Sequence, residues 1–172
     1  MSEEFQIQTI DAPDVIAVEK SFEAGAFSVP KNLAASYASI KEIMSNEGLA
    51  QEGSPYAKYL DLKWDEVRTK SMFMLMVSTM FQKHKVVAGI PVRADGNETS
   101  SAQTCFGEKK YLKFSHFGPV TNSLASYKKA AIWAHDNNVK LGTFSVESYV
   151  GVQRGEDPKA AETEIFIPLA RS

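Results

Sequence analysis

The sequence predicts an α+β domain in which a β-α-β-β module occurs twice, with two helices packed on an antiparallel sheet. Three observations favour this fold: helical segments repeat at a shift of 90 residues, strand-like runs flank both of them, and both halves end on a similar apolar segment that contains proline. Because strands and helices do not alternate strictly, their order favours antiparallel pairing over a parallel βαβ sheet.

The repeat is clearest in the two predicted helices. Ala35-Ser36-Tyr37 coincides with Ala125-Ser126-Tyr127 at this shift. Gly48 and Asn138 then share one offset, and both residue types suit the left-handed conformation just past a helix end. We therefore predict one domain over residues 1–172, built from halves at about 5–92 and 108–170.

The first half begins with strand-like runs at Phe5–Ile10 and Val15–Phe22, and Tyr56–Leu62 follows the helix as a third strand. Asn32 is a candidate N-cap for the helix, because its side chain can accept a backbone N–H. Apolar residues then recur at helical spacing and predict a buried stripe. The stripe consists of Leu33, Tyr37, Ile40, Ile43 and Met44.

The second half repeats this order with strands at Lys110–Phe117 and Val146–Val152. Thr121 or Asn122 can cap its helix, whose predicted stripe consists of Leu124, Tyr127, Ala131 and Ala134. The halves end on Ala88–Val92 and Ile165–Leu169, with proline at the strand end, where a missing ladder donor costs least.

The shift falls from 90 to 77 residues at these endings, so the first half contains about 13 additional residues, which we place in Trp64–Lys85. This stretch includes the methionine-rich segment Ser71–Phe81, predicted as a strand that is apolar on both faces. Ordinary burial is favoured for it, and a dimer contact or an adaptable binding surface are the alternatives. The Gly-, Asn- and Ser-rich stretch Arg93–Gly107 is predicted to connect the halves.

Composition excludes several classes of protein. With 19 basic and 21 acidic residues, the chain lacks the basic excess typical of nucleic-acid binding, so no direct nucleic-acid contact is expected. One cysteine, Cys105, permits neither an internal disulfide nor a cysteine-based metal site. No apolar leader or spanning segment is present, which predicts a cytoplasmic protein without membrane contact.

A set of segments in one order resembles the GyrI-like family, which includes effector-binding domains of AraC-type and multidrug-responsive transcription activators. The resemblance is strongest over residues 110–172, and it implies a doubled module that encloses a small-molecule pocket between its halves. Since no helix-turn-helix precedes the first module, a stand-alone member is expected. The segments are Lys113–Pro119, the Ser-Leu-x-x-Tyr pattern of Ser123–Tyr127, Glu147–Tyr149, Asp157-Pro158 and Thr163–Leu169.

The resemblance also implies a ligand class, namely amphipathic and often cationic aromatic compounds. Glu147 matches the position at which multidrug-responsive members present a buried glutamate to the ligand. Six aromatic residues could line the pocket with it, the alternative being ordinary core packing. Trp133 lies off the buried stripe and is the favoured pocket residue among them. The six are Tyr37, Tyr56, Tyr59, Tyr127, Trp133 and Tyr149.

The three histidines are weaker candidates for a ligand or metal site. His116 precedes Phe117-Gly118-Pro119 at a strand end, where a hydrogen-bonded structural role is favoured over a pocket role. Because His84, His116 and His135 show no ligand spacing, we expect no haem, no metal and no other cofactor. The alternative interpretation of Glu147 is a surface glutamate on a sheet edge.

The sequence therefore favours a protein that senses or sequesters small molecules, rather than an enzyme. Two alternatives stay open. Some family members hydrolyse cyclopropane-bearing compounds, for which Glu147 could serve as general base. Others inhibit DNA gyrase, so a protein partner is a further candidate role. A homodimer is equally compatible with the sequence.

Overall fold

Eight strands form one antiparallel sheet in the computed structural model, which describes residues 6–93, 101–157 and 159–170. The strand order across the sheet, in chain numbering, is β1-β6-β8-β7-β3-β4-β2-β5. The strands are β1 Gln8–Asp11, β2 Ile16–Gly25, β3 Tyr56–Tyr59, β4 Lys83–Pro91, β5 Ala102–Thr104, β6 Lys110–Phe117, β7 Ser145–Ser148 and β8 Glu162–Pro168.

The described residues also form five α-helices, and short 3₁₀ turns at Ala26–Ser28 and Val120–Asn122 precede the two long ones. The predicted α+β class is confirmed. None of these helices combines the length with the apolar character that crossing a bilayer requires. The helices are α1 Val29–Glu47, α2 Trp64–Thr69, α3 Met72–Phe81, α4 Leu124–Asp136 and α5 Val150–Arg154.

The repeat is visible in both topology and hydrogen bonding. Strands β2, β3 and β4 with α1 form one half, β6, β7 and β8 with α4 form the other, and the halves meet where β3 pairs with β7. Gly48 and Asn138 both have left-handed backbone, with φ of 67° and 55°. The next amide also turns back in the same way, with N–O distances of 2.8 Å for Leu49 to Met44 and for Val139 to Ala134. The matched helix ends are thus confirmed.

The leading strand of each half is exchanged with the other half. β1 precedes β2 in the chain but pairs with β6, where Ile10 lies opposite Tyr111. β5 precedes β6 but pairs with β2, where Ala17 lies opposite Gln103. Each half therefore depends on the other for an outer strand, which couples the two halves into one sheet.

Both long helices cover the same face of the sheet. α1 buries Ile40 and Met44 against β2 and β4, and α4 buries Tyr127 and Ala130 against β6 and β8. Full burial of each large apolar side chain contributes about 1.5–3 kcal/mol. A separate apolar cluster containing Tyr111 covers the opposite face. The central pair β3 and β7 lies between the strands that α1 covers and those that α4 covers, and we call this part of the helical face the groove.

Several predicted boundaries are corrected. The strand predicted to continue to Leu62 ends at Tyr59, because Asp61 turns the chain with a φ of 58°. The strand predicted to continue to Val152 ends at Ser148, where Tyr149 leads into α5. That short helix can pack against the chain at Ala161 because residue 151 is a glycine. A Cβ atom on Gly151 would come within 2.8 Å of the Ala161 Cα atom.

The remaining element limits differ less. β1 begins at Gln8 rather than Phe5, which lies outside the described residues, and β2 continues to Gly25. α1 begins before Asn32, because Pro30 in its first turn already has the helical φ and needs no N–H partner. Thr121 and Asn122 lie in a 3₁₀ turn, and Ser123 precedes α4 instead.

The methionine-rich segment is a helix, so its prediction as a buried strand is wrong. Ser71 caps α3 by accepting the Met74 amide at 3.2 Å, and unbranched methionines suit a helix. Leu75 is its one fully buried residue. The additional length of the first half does lie in Trp64–Lys85, as predicted, and forms α2 and α3. Within the predicted connection, β5 is ordered and residues 94–100 lie outside the described residues.

Candidate functional site around Glu147

Glu147 lies on central strand β7 and is only 2% exposed. It stands opposite Ala57 of β3, on the sheet face that carries the helices. Tyr127 of α4 donates its hydroxyl to Glu147 Oε1 at 2.8 Å, and Tyr149 donates to Oε2 at 3.3 Å. A third hydrogen bond comes from the Ser123 hydroxyl. The carboxylate is therefore buried among hydroxyl groups.

Burial dominates the electrostatics of this carboxyl group. It raises the pKa of Glu147 to about 7, although the hydroxyls of Tyr127, Tyr149 and Ser123 act in the opposite direction. Desolvation disfavours a charged carboxylate, and hydrogen-bond donors favour it. No lysine, arginine or histidine of the described residues forms an ion pair with this group. A buried acid without a countercharge is the central chemical feature of the site.

Four tyrosines surround Glu147, two from the long helices, one from the end of β3 and one that directly follows β7. Tyr59 and Tyr149 are hydrogen-bonded to each other, and Tyr37 donates its hydroxyl to the Tyr56 carbonyl at 2.8 Å. Burial and the charge of Glu147 raise the pKa values of Tyr37, Tyr59, Tyr127 and Tyr149, so all four stay neutral phenols. We call these four residues the tyrosine cluster.

The tyrosine cluster follows the internal repeat. Tyr37 and Tyr127 occupy equivalent helix positions, and Tyr59 and Tyr149 occupy equivalent positions at the ends of β3 and β7, both at a shift of 90 residues. Four of the six aromatic residues that the sequence offers for the pocket therefore lie around Glu147 in two equivalent pairs. Glu147 breaks the symmetry, because its equivalent is an alanine.

Sequence reasoning missed Trp64, which contributes to the wall of the site. Its ring stacks on Tyr127 with centroids 5.9 Å apart and planes inclined by 20°. The indole N–H donates to the Gly142 carbonyl at 2.5 Å and fixes the ring. Because Trp64 begins α2 in the additional segment of the first half, it has no equivalent in the repeat. Its one sequence signal is the helix start that Asp65 and Glu66 mark.

Three predicted site residues lie elsewhere. Tyr56 points to the opposite sheet face, where it donates its hydroxyl to Glu19, because neighbouring strand residues alternate between faces. Trp133 packs half-buried against the core cluster of α4, β6 and β8. His116 contacts Ser126 Oγ and the Pro119 carbonyl, both at 3.0 Å, which fits its structural role.

Two surface cavities lie outside the tyrosine cluster. One of about 690 Å³ lies between β1, β6 and α4, and His116 and Ser126 line it. The other, of about 520 Å³, lies on the opposite sheet face beside Tyr56 and Cys105. Neither is lined by Glu147, which is enclosed by its neighbours. In the described ranges, no three His, Cys, Asp or Glu side chains converge to hold a metal ion.

Comparisons with known proteins place this geometry in a known fold. No protein-family model and no curated protein matches the chain. Among solved structures, the EcmrR C-terminal domain is 20% identical, with a TM-score of 0.70 over 98% of this chain and 99% of that chain.

Two further structures extend the comparison. EcmrR in a complex with DNA is 21% identical with a TM-score of 0.69, and the match covers 98% of this chain but only 58% of the EcmrR chain. A hydrolase from Listeria innocua is 11% identical with a TM-score of 0.59, over 96% of this chain and 92% of that one. The chain therefore has the GyrI-like fold that its sequence resemblance predicts.

Proposed function

We propose that this domain binds cationic, aromatic small molecules in the groove between its two halves, with Glu147 as the counter-ion. One observation carries the proposal: a fully buried carboxylate whose partners in the described residues are hydroxyl groups rather than cations. An unpaired buried charge is costly, and a bound cation removes that cost by supplying the missing charge.

The tyrosine cluster supplies the second component of affinity. The faces of aromatic rings attract a cation by about 0.5–2 kcal/mol each, and more when water is excluded. Rings of a flat ligand can also stack on phenols, as Trp64 already does on Tyr127. A neutral aromatic ligand gains the stacking without the charge interaction, so the site should discriminate by charge.

Access to Glu147 requires movement of its neighbours. The carboxylate is 2% exposed, whereas Tyr37, Tyr59 and Tyr149 are half-buried and form the outer wall. A ligand therefore reaches the carboxylate by displacing these rings from the groove. Such a binding event serves either sensing or sequestration of the ligand, and both use the same contacts.

The test compares tetraphenylphosphonium with neutral triphenylphosphine oxide, a ligand of similar ring content without charge. Calorimetric titration should show binding of the cation that weakens at least about tenfold in Glu147→Gln, which corresponds to about 1.4 kcal/mol. The control is Glu42→Gln, an exposed glutamate on α1. Equal affinity for the neutral ligand, or full retention in Glu147→Gln, would contradict the counter-ion role.

The pKa of Glu147 also supports a second candidate, hydrolysis of strained electrophiles such as cyclopropanes. A carboxylate with a pKa of about 7 is well matched to general-base catalysis near neutral pH. In this reaction Glu147 would accept a proton from water while the water oxygen bonds to a ring carbon. The ring bond breaks, and its electron pair takes a proton from the Tyr149 hydroxyl, which regains a proton from the Glu147 carboxyl group across their hydrogen bond.

Turnover separates the two candidates. Product formation from a cyclopropane substrate should fall at least about a hundredfold in Glu147→Gln, since one general base contributes 10²–10⁴-fold. If the wild-type protein binds the same compound without turnover, the hydrolase candidate is contradicted and only the binding function stands. Tyr149→Phe should slow the reaction while retaining affinity for a cationic ligand.

A further inference from the structure

Helix α3 presents a continuous apolar surface to the outside of the domain. Six of its ten residues are large apolar side chains with exposed fractions between 39% and 84%. With about 100° between successive residues, they cover an arc of about 200° around the helix, together with half-buried Val77. We call this surface the α3 arc: Met72, Phe73, Met74, Met76, Val77, Met80 and Phe81.

The polarity of α3 is the reverse of that expected for a surface helix. Its hydroxyl residues are half-buried and bonded: Thr79 donates to the Leu75 carbonyl at 2.8 Å, and Ser78 accepts from Gln82 at 2.9 Å. Leu75 alone anchors the helix in the apolar interior. An ordinary amphipathic helix turns its apolar stripe inwards and its polar face to water. The inverted pattern marks the α3 arc as a surface that another molecule covers.

The size of the surface matches a protein interface. Phe27, 79% exposed in the turn before α1, lies beside α3 and extends the arc. With about 200 Å² for each fully exposed large side chain, the apolar surface amounts to about 800 Å². The largest apolar patch on a typical monomer is about 300–600 Å², whereas a stable complex buries about 800 Å² per partner.

Charge decides between the possible occupants. The α3 arc carries no charged side chain, so two copies of it can meet without like-charge repulsion. The two lysines that follow α3 in the chain are paired with acids, Lys83 with Glu23 at 3.7 Å and Lys85 with Asp61 at 2.8 Å. These pairs neutralise the basic groups that an anionic lipid surface would need for attraction. Self-association is therefore favoured over membrane binding.

We propose that the α3 arc is the contact surface of a homodimer in which two copies of this chain pack α3 against α3 about a two-fold axis. An isologous contact of this kind uses one patch twice and closes on itself. Methionine side chains adapt to each other's shape and suit such a surface. The contact is independent of Glu147, since none of its residues belongs to the tyrosine cluster.

Sedimentation equilibrium of the full chain tests the proposal. The wild-type protein should show twice the mass of one chain at micromolar concentration. Phe73→Glu with Met76→Glu should weaken association at least about thirtyfold, as loss of a central contact does. The matched control is Ile132→Glu, which changes an apolar residue, 41% exposed, on helix α4 outside the arc.

A second measurement keeps the test independent of folding. Because native Cys105 is only 3% exposed, Met76→Cys introduces a single accessible thiol on the arc. Mild oxidation should link Met76→Cys chains into covalent dimers and leave Ile132→Cys chains monomeric. A monomeric wild-type protein, or a dimer that survives the double glutamate variant, would overturn the proposal. Binding of monomers to phosphatidylserine vesicles would overturn it in favour of lipid.

Discussion

Ala57 of β3 stands directly opposite Glu147 of β7, at the seam where the two halves of the sheet meet. The two positions are also equivalents in the repeat, 90 residues apart. One half thus supplies a methyl group and the other a carboxylate, so the site has one acid rather than a pair. Two facing carboxylates would raise each other's pKa further by mutual repulsion. The small alanine leaves Glu147 the one ionisable group of this cross-strand pair.

Stability should depend on pH through Glu147. Its folded pKa of about 7 lies above the ordinary value of 4.5, so between these values the folded protein binds more protons than the unfolded chain. The contribution of Glu147 to the free energy of unfolding should therefore be greatest below pH 4.5 and fall by about 3 kcal/mol as the pH rises through 7. Urea unfolding of wild-type protein and Glu147→Gln at several pH values measures this as a difference between the two.

Glu42→Gln serves as the control, because Glu42 is exposed on α1 and its removal should leave the pH profile of stability unchanged. A wild-type profile parallel to that of Glu147→Gln over pH 4.5–7 would contradict a raised pKa for Glu147.

Much of the fold follows from the sequence, because the repeat constrains it twice. Gly48 and Asn138 end the two helices in the same conformation, and the four residues of the tyrosine cluster occupy equivalent positions. A local signal that recurs at one spacing is hard to explain by chance. The exchange of β1 and β5 between the halves could not be predicted, because the strands that pair are distant in sequence.

Features outside the repeat are harder to predict from the sequence, and so is the face of a short strand. Trp64 and α3 both lie in the additional segment of the first half, where no equivalent residue guides interpretation. The prediction of α3 as a buried strand is wrong because an unbroken apolar run shows no period that separates strand from helix. Tyr56 is predicted to line the pocket, but Ala57 shares the face of Glu147, because a shift of one residue in a strand reverses the side.

Affinity for a cationic ligand should depend on pH in a defined direction. The cation pairs with the ionised form of Glu147, which is the minor form below pH 7. The dissociation constant should therefore fall about tenfold per pH unit between pH 5 and 6 and level off above about 8. Titration calorimetry with tetraphenylphosphonium measures it. A pH-independent constant in the wild-type protein would show that Glu147 does not pair with the ligand charge.

Removing the Tyr127 hydroxyl should raise the pKa of Glu147 further. Tyr127→Phe deletes the hydrogen bonds to Glu147 at 2.8 Å and to Ser145 at 2.7 Å, while the ring can still stack on Trp64. We expect a loss of about 1–3 kcal/mol in stability and a higher pKa for Glu147, since a donor to its charged form is lost. Carboxyl titration followed by NMR gives the pKa. Tyr37→Phe is the control, because its hydroxyl bonds to a backbone carbonyl instead.

Trp64 should hold α2, the start of the additional segment in the first half, against Tyr127 of the site. Trp64→Ala removes the stack on Tyr127 and should destabilise the protein by about 2–4 kcal/mol, as large-to-small changes do. Trp64→Phe retains a ring but loses the bond to Gly142, at a cost of about 1 kcal/mol. Urea unfolding measures both. Equal losses in the two variants would mean that the hydrogen bond, and not the stacked ring, secures α2.

Gly89 should be intolerant of any side chain, because the Tyr56 ring occupies the space beside it. A Cβ atom at this position would come within 2.1 Å of Tyr56 Cζ, so Gly89→Ala must displace the ring and its hydrogen bond to Glu19. We expect a loss of about 1–3 kcal/mol from overpacking. In a double-mutant cycle, Tyr56→Ala should relieve most of that loss, since the space above Gly89 is then free. Gly25→Ala is the control, with no atom within 4 Å of its Cβ position.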